Sequence, residues 1–552
     1  MLERRYPAFN PSAFYEALYE QYRWPTLDTF NIAVMSCDRH ADLSTSAILV
    51  DHGNGEVESW SYAQLKASSN RLANALHAHD VGRRDRVAIL LSQGAELVIS
   101  HLATYKLGAV TVPLSILFRQ KALSHRINDA GAKVVITDSA HAQEVLDLLS
   151  DMPSVRMVIV TDSKVPGCQY WPDFLTASHD SLTPVVTHPD DPAIIIYTSG
   201  TTGLAKGALH GHRILLGHLP GVSLPHNLAP QDGDFFWTPA DWAWIGGLFD
   251  VLFPALFWAV PILAYRMPKF DPEEAFALMD RWAIRNAFLP PTAIKMMRQV
   301  PHPTARYTLS LRSLASGGEP LGVKTRQWAQ EELGVTINEF YGQTECNLVL
   351  SNSSSLFETR DNSMGKAVPG HQVTVIDEEG HPVAPGTTGN IAVRKPDPVM
   401  FLGYWNNPLA TEQKFVGEWL RSGDIGSYDS DGYFYFVGRD DDIISSAGYR
   451  IGPAEIEETL VQHPAVVMAA VVGVPDALRG QMIKAYVQVA DGVTPGSELV
   501  SELQQWVKSR LAAYEYPRAI EFVKTFPMTP SGKIQRNLLR QKSATSIQND
   551  LL

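Results

Sequence analysis

Between Tyr197 and His210 the chain passes from an apolar run into a loop of glycines, hydroxyl residues and one lysine. The run Ala193-Ile194-Ile195-Ile196 reads as a buried strand. Thr198, Ser199, Gly200, Thr201, Thr202, Gly203 and Lys206 follow it. Glycine lets backbone approach a ligand closely, and successive exposed N–H groups make an anion-binding concavity. Hydroxyls add donors, and Lys206 adds a point charge suited to phosphate. The stretch therefore reads as a polyphosphate cradle. It is not a Walker A loop, which needs Gly, four residues, then Gly-Lys-Ser/Thr; here Gly200 is followed by Gly203, and Lys206 precedes Gly207. A polar surface turn would explain five such residues, but not the whole stretch behind a strand.

Strand-like and helix-like patterns alternate through the first half. Tyr62 to His79 has helical spacing, with Leu65, Leu72 and Leu76 on one face; Val87 to Leu91 reads as a strand and Ala95 to Leu107 as the next helix. Lys133 to Thr137 and Met157 to Val160 are further strands, and together these predict an α/β sheet covered by helices. From Gln372 to Arg394 short alternating segments are split by Gly and Pro, which predicts a small antiparallel or barrel-like section. The charged run Arg439 to Asp442 lacks apolar periodicity and precedes a compact pattern: helix 454–462, strands 466–472 and 483–489, helix 497–511. This places a boundary at 439–442, between residues 1–438 and a small domain at 443–552, whose last ten residues are expected to fray.

A chain of 552 residues exceeds a single core. Its formal charge of −13 argues against a nucleic-acid surface. Cys37, Cys168 and Cys346 lie too far apart for a metal knuckle or disulfide framework, so a reducing, cytoplasmic setting is expected. The N-terminus shows no apolar segment of the secretory kind, and the apolar run Val251 to Tyr265 is too short to span a membrane, reading instead as buried helix and strand.

Further segments line up in order with the 197–210 loop. They are Gly317 to Pro320, Tyr341 to Glu345, Arg421 to Asp424, Gly438 to Arg450 and Pro527 to Lys533. Together they resemble the adenylate-forming superfamily, and among its members the short- and medium-chain acyl-CoA synthetases. The resemblance implies an α/β N-terminal domain of two subdomains plus a small β-barrel section, with a small mobile α+β C-terminal domain. It implies ATP, magnesium and coenzyme A as cofactor and co-substrates. Residues 198–203 and Lys206 would hold the β- and γ-phosphates, Thr344 would contact the α-phosphate, and Glu345 would hold magnesium, a hard cation that takes oxygen ligands. Gly318, Glu319 and Pro320 would flank the adenine, Tyr341 would stack on it, Asp424 would bind the ribose hydroxyls, and Arg439 would support the ribose and phosphate end.

Taken alone, Lys533 is a solvated charge near a C-terminus. Its setting in Pro527 to Lys533 resembles the mobile loop that stabilises charge at the α-phosphate during adenylation. The hinge would be Asp441, with Gly448 leaving room for pantetheine and Arg450 near the coenzyme A phosphates. The same spacing resembles relatives silenced by lysine acetylation, which implies an acetyltransferase and a deacetylase acting on Lys533. The sequence leaves oligomeric state open and admits a homodimer.

In acetate-specific relatives a tryptophan stands at the position of Gly342, so glycine here predicts a deeper pocket, for propionate through medium-chain, branched or cyclic acids. The segment Trp237 to Trp244 resembles the acyl-site lining, with Trp244 the best candidate and Trp237 and Trp242 equally readable as core. Two departures stand out: Ala205 where relatives carry proline, and Cys346-Asn347 where medium-chain relatives carry Thr-Gly. The rival reading is a stand-alone adenylation domain that loads an amino or aryl acid onto a carrier protein. Such activators carry an aspartate near the aromatic segment, but neither Asp241 nor Asp250 falls in the right register, and no carrier motif follows Lys533. A non-catalytic binding protein would have lost Lys533 or Glu345, and both are present.

Overall fold

The computed structural model describes residues 11–198, 205–440, 442–446, 449–476, 480–511, 515–529 and 533–549. The helix expected from Tyr62 is Tyr62–Ala78. Its start is fixed by Ser61, whose hydroxyl accepts from Gln64 N while the Gln64 side chain accepts from Ser61 N. This reciprocal cap satisfies two otherwise orphaned donors, and Leu65, Leu72 and Leu76 are buried as the spacing predicts.

Short β-branched runs form the first sheet. Its eight strands run in the order Gln169–Tyr170, Met157–Val160, Val134–Thr137, Arg86–Leu90, Val110–Pro113, Pro192–Thr198, Lys206–Gly211 and Gly403–Tyr404. The first six pair in parallel and the last two antiparallel. Val110–Pro113 and Val134–Thr137 are buried along their whole length, as both-face-covered parallel strands must be.

The second sheet has 14 strands. Its parallel part includes Ile262–Tyr265, Phe236–Trp237, Asn286–Phe288, Ser313–Gly317 and Ile337–Gln343. At Cys346–Ser351 it turns antiparallel, and it continues through Ser363–Ala367, Phe434–Arg439, Trp419–Tyr428, Gly389–Arg394 and Val373–Ile376. The section expected to be antiparallel or barrel-like is antiparallel, an open extension of the long sheet; no closed barrel forms among the described strands. Val251 to Tyr265 resolves into the π-turn Leu248–Leu252, the helix Phe253–Phe257 and the strand Ile262–Tyr265.

The small C-terminal domain has its own five-stranded sheet and its own core around Ile456, Leu460, Leu503 and Val507. The strand Val466–Asp476 outruns its expected end because Gly473 to Asp476 keep pairing with Ile483 to Gly480. Of the residues expected to fray, 543–549 belong to a helix, Arg536–Asn549, and 550–552 lie outside the described residues. In the helix, buried Leu539 accepts at the backbone carbonyl from Tyr486 Oη at 3.0 Å, and Ser543 is also buried, so the polar composition concealed an anchored face. Among the described residues no helix is long and apolar enough to cross a membrane.

Candidate active site

The polyphosphate stretch is described at its two arms only; Ser199, Gly200, Thr201, Thr202 and Gly203 lie outside the described residues. Thr198 stands opposite Lys206 in the antiparallel pair. The His125 ring, through Nε2, donates to the carbonyl of Ala205 at 2.9 Å, which ties down the arm where relatives carry proline. His210, on the same strand as Lys206, lies 2.8 Å from the Thr344 carbonyl. That acceptor requires the proton on Nε2, and burial, which pushes the imidazole down to about 3, keeps the ring neutral. One strand therefore carries Lys206 and braces the turn that carries Thr344 and Glu345.

Glu345 is buried at the edge of the cavity. One carboxylate oxygen accepts from the Tyr404 phenol, and the Lys206 ammonium sits 5.2 Å from the centre of the Tyr404 ring. The other oxygen takes no hydrogen bond among the described residues. Among those residues no group of three or more His, Cys, Asp or Glu could hold a metal. Magnesium needs no such cage: one carboxylate and substrate phosphates suffice, and the free oxygen of Glu345 fits that use.

Asp424 lies opposite Arg439 in the strand pair, 3.3 Å from its guanidinium, and accepts from the Tyr341 hydroxyl at 2.5 Å. Burial raises its carboxyl above the usual range; Arg439, Tyr341, Lys414 and Lys533 oppose that, in this order. Lys414 is missing from the motif-based set. Its ammonium donates to Gln343 Oε1 at 3.0 Å and to the Ser422 carbonyl at 3.1 Å. It thereby links the turn of Glu345 to the turn of Asp424. Burial pushes it below the ordinary lysine range, while Glu345 pulls it back up.

Lys533 reaches this site from the small domain. Its loop is closed by Thr529 N donating to the Lys533 carbonyl at 2.7 Å and by Lys533 N donating to Thr529 Oγ1 at 3.0 Å. The side chain lies beside Gly318, where an added Cβ would stand 4.0 Å from Nζ. Glu319 accepts from Thr292 and Pro320 from Lys295 beside it. The small domain contacts the large one through Lys324, which donates to the Gln462 carbonyl at 2.8 Å, while Arg536 pairs with Glu457 at 2.7 Å within the small domain. Asp441 and Gly448 lie outside the described residues, and for Arg450 only the backbone, in the strand Tyr449–Ile451, is described.

Lys206, Glu345, Asp424, Lys533 and Trp244 all line one cavity of about 2480 Å³. Trp237 and Trp242 are fully buried in the core, whereas Trp244 packs edge-on against Phe118 at 5.7 Å. Gly342 lines the cavity, but its backbone leaves no room for a side chain. A Cβ there would meet Leu348 N at 2.2 Å and Asn347 Oδ1 at 2.6 Å. The glycine is required by the hairpin backbone, which has an irregular register between Tyr341 and Gln343.

Residues 37–405 match the model of the AMP-binding enzymes, and residues 455–533 match that of the AMP-binding enzyme C-terminal domain. The chain belongs to the AMP-binding enzyme family. The mitochondrial acyl-coenzyme A synthetase ACSM2B of Homo sapiens is 34% identical over 93% of this chain and 91% of its own length. The acetyl-coenzyme A synthetase of Bacillus subtilis is 31% identical over 95% and 94%. Among solved structures, an anthranilate CoA ligase in complex with anthranoyl-AMP superposes with a TM-score of 0.87 at 27% identity, covering 95% of this chain and 99% of that one. A benzoate CoA ligase from Burkholderia xenovorans gives 0.82 at 28%, covering 93% and 100%. As an AMP-binding enzyme the chain is an AMP-forming acid–CoA ligase. Its motifs located most of the cavity, but Tyr404 and Lys414 carry no motif; a lysine just before the Arg421–Asp424 segment was the one available signal.

Proposed function

We propose that this ligase joins a carboxylic acid to AMP, releasing pyrophosphate, and then passes the acyl group to coenzyme A. The observation that carries the reading is Lys533, delivered from the small domain to Gly318 within the cavity that Lys206 and Glu345 also line. In the first step a carboxylate oxygen bonds to the α-phosphorus as the bond to the β-phosphate oxygen breaks. Two anions must meet, so cations dominate the design. Lys206, with residues 198–203, is assigned the departing phosphates; Thr344 and Lys533 are assigned the α-phosphate. Bound magnesium, held by Glu345 and the phosphates, would neutralise charge there. Tyr341, Gly318, Glu319 and Pro320 are assigned the adenine, and Asp424 with Arg439 the ribose.

In the second step the thiol attacks the acyl carbonyl and AMP leaves. Lys533 has no task there. We assign the exchange of faces to a hinge at 439–442 about Asp441, which brings Gly448 and Arg450 toward coenzyme A. Coupling to a carrier protein is the rival second step. Three scattered free cysteines support the cytoplasm as its place. For the acid we keep short- to medium-chain and branched acids. Aryl acids are the second reading, favoured by a wall on which Phe288 and Phe340 lie 5.2 Å apart. A panel of acids graded in length, branching and aromaticity, scored for AMP release with and without coenzyme A, tests the proposal. Release that depends on coenzyme A is expected; release that depends only on a carrier protein would sink it.

Lys414→Met keeps the stem and removes two charge-assisted donors. Such bonds are worth about 1.5–3 kcal/mol, so KM for ATP should rise by roughly 10- to 100-fold. An unchanged KM in pyrophosphate exchange would reduce Lys414 to a prop of the fold.

A further inference from the structure

A buried acid lies under the apolar side of the cavity, and the phosphate chemistry does not use it. Asp250 is 4% exposed and lines the cavity. It sits in the π-helical turn Leu248–Leu252, a distortion frequent at functional sites. Oδ1 accepts from Asn347 Nδ2 at 2.6 Å, and Oδ2 accepts no hydrogen bond among the described residues.

The neighbours have nothing left to give that oxygen. His218 is fully buried, and its Nδ1 lies 2.7 Å from the Ile214 carbonyl, so Nδ1 carries the proton and Nε2 accepts. Asn347 Nδ2 lies 3.2 Å from that Nε2. Both amide hydrogens of Asn347 are therefore committed, one to His218 and one to Asp250. The approach to Oδ2 is open because the residue four earlier is glycine: an added Cβ at Gly246 would stand 3.6 Å from Oδ2 and 3.3 Å from the Phe288 ring. Phe288 beside Gly246, with Phe340 5.2 Å from it, makes the adjoining wall apolar.

We propose that Asp250 Oδ2 is the specificity-determining acceptor for a hydrogen-bond donor, a hydroxyl or an amino group, at the far end of the acid substrate. The inference rests on the ligase reading above and narrows its substrate. The network offers one unpaired oxygen and no cation, so its complement is a donor. Burial raises the Asp250 carboxyl well above the usual range. An alkyl ammonium would pair with the carboxylate, whereas a hydroxyl, or an aryl amine too weakly basic to take a proton, would donate a hydrogen bond to it. A methyl group in the same place would strip water from Oδ2 and return nothing, the situation in which enzymes discriminate most sharply.

The test is pyrophosphate exchange with matched acids. One set is 4-hydroxybenzoate, 4-aminobenzoate and 4-methylbenzoate; the other is 6-hydroxyhexanoate, 6-aminohexanoate and heptanoate. In the wild type a donor-bearing acid should exceed its methyl partner in kcat/KM by about 10²-fold or more. Asp250→Leu should abolish that preference. Asp250→Asn, which keeps the shape, should retain preference for the hydroxyl acids and lose it for 6-aminohexanoate, and this separates the two sources. Should Asp250→Leu not fold, the wild-type pairs and Asp250→Asn decide. Equal or better use of the methyl acids, or a preference that survives in Asp250→Leu, overturns the proposal and leaves the ligase reading standing. No exchange with any acid of either set, while shorter acids of the graded panel are used, overturns the proposal alone; no exchange with any acid of that panel overturns both.

Discussion

Lys533→Ala should lower acyl-adenylate formation by about 10²–10³-fold, the usual effect of removing one preorganised charge from an anionic transition state. Thioester formation from supplied acyl-adenylate stays within a few-fold of wild type. The asymmetry follows from the placement of Lys533. It is exposed, on a loop whose base is held within the small domain by Thr529 and Gln535, and it reaches the site beside Gly318. Among the described residues its ammonium makes no hydrogen bond or ion pair to the large domain, so the loss is expected to fall on catalysis. Lys533→Gln, which removes the charge as acetylation would, should match alanine. Asp441→Pro is the complement: adenylation persists and thioester formation falls. Stopped assays of the two half-reactions check all three variants. Equal losses in both half-reactions for Lys533→Ala would mean that the lysine serves the fold and not the first step.

Local patterns wrote much of this architecture into the sequence. Met157–Val160 is the strand its residues predict, and Tyr62–Ala78 begins where Ser61 and Gln64 can cap each other. The site was legible where its residues sit in contiguous motifs, as with Tyr341 to Glu345. It was not legible where function depends on contacts across long sequence separations. His210 braces Thr344, Tyr404 reaches Glu345, and Lys414 bridges Gln343 and Ser422, each by tertiary placement alone. The open sheet extension shows the same limit: alternation gives strands, but only pairing partners decide whether a sheet closes. The terminal helix was missed because one buried leucine and one buried serine suffice to anchor a largely polar segment.

Gly342→Trp should destabilise the protein by about 3 kcal/mol or more, since the intruding atoms meet backbone that cannot rotate away. It should not create an acetate-selective enzyme. The nearest obstacle is Leu348 N at 2.2 Å, and Leu348 itself is held at φ 59°. The next is Asn347 Oδ1 at 2.6 Å. Asn347 is one of the two residues that depart from the medium-chain pattern, and it is also the residue that holds Asp250. The glycine, the asparagine and the buried acid are thus one unit: the tight hairpin brings Asn347 to Asp250, and only glycine at 342 lets it close. Gly342→Ala should show most of the loss in a urea melt. Gly342→Ala with Asn347→Gly should recover little, because the Leu348 backbone contact remains. A Gly342→Trp protein that melts like wild type and prefers acetate would restore the pocket-depth reading and remove the steric one.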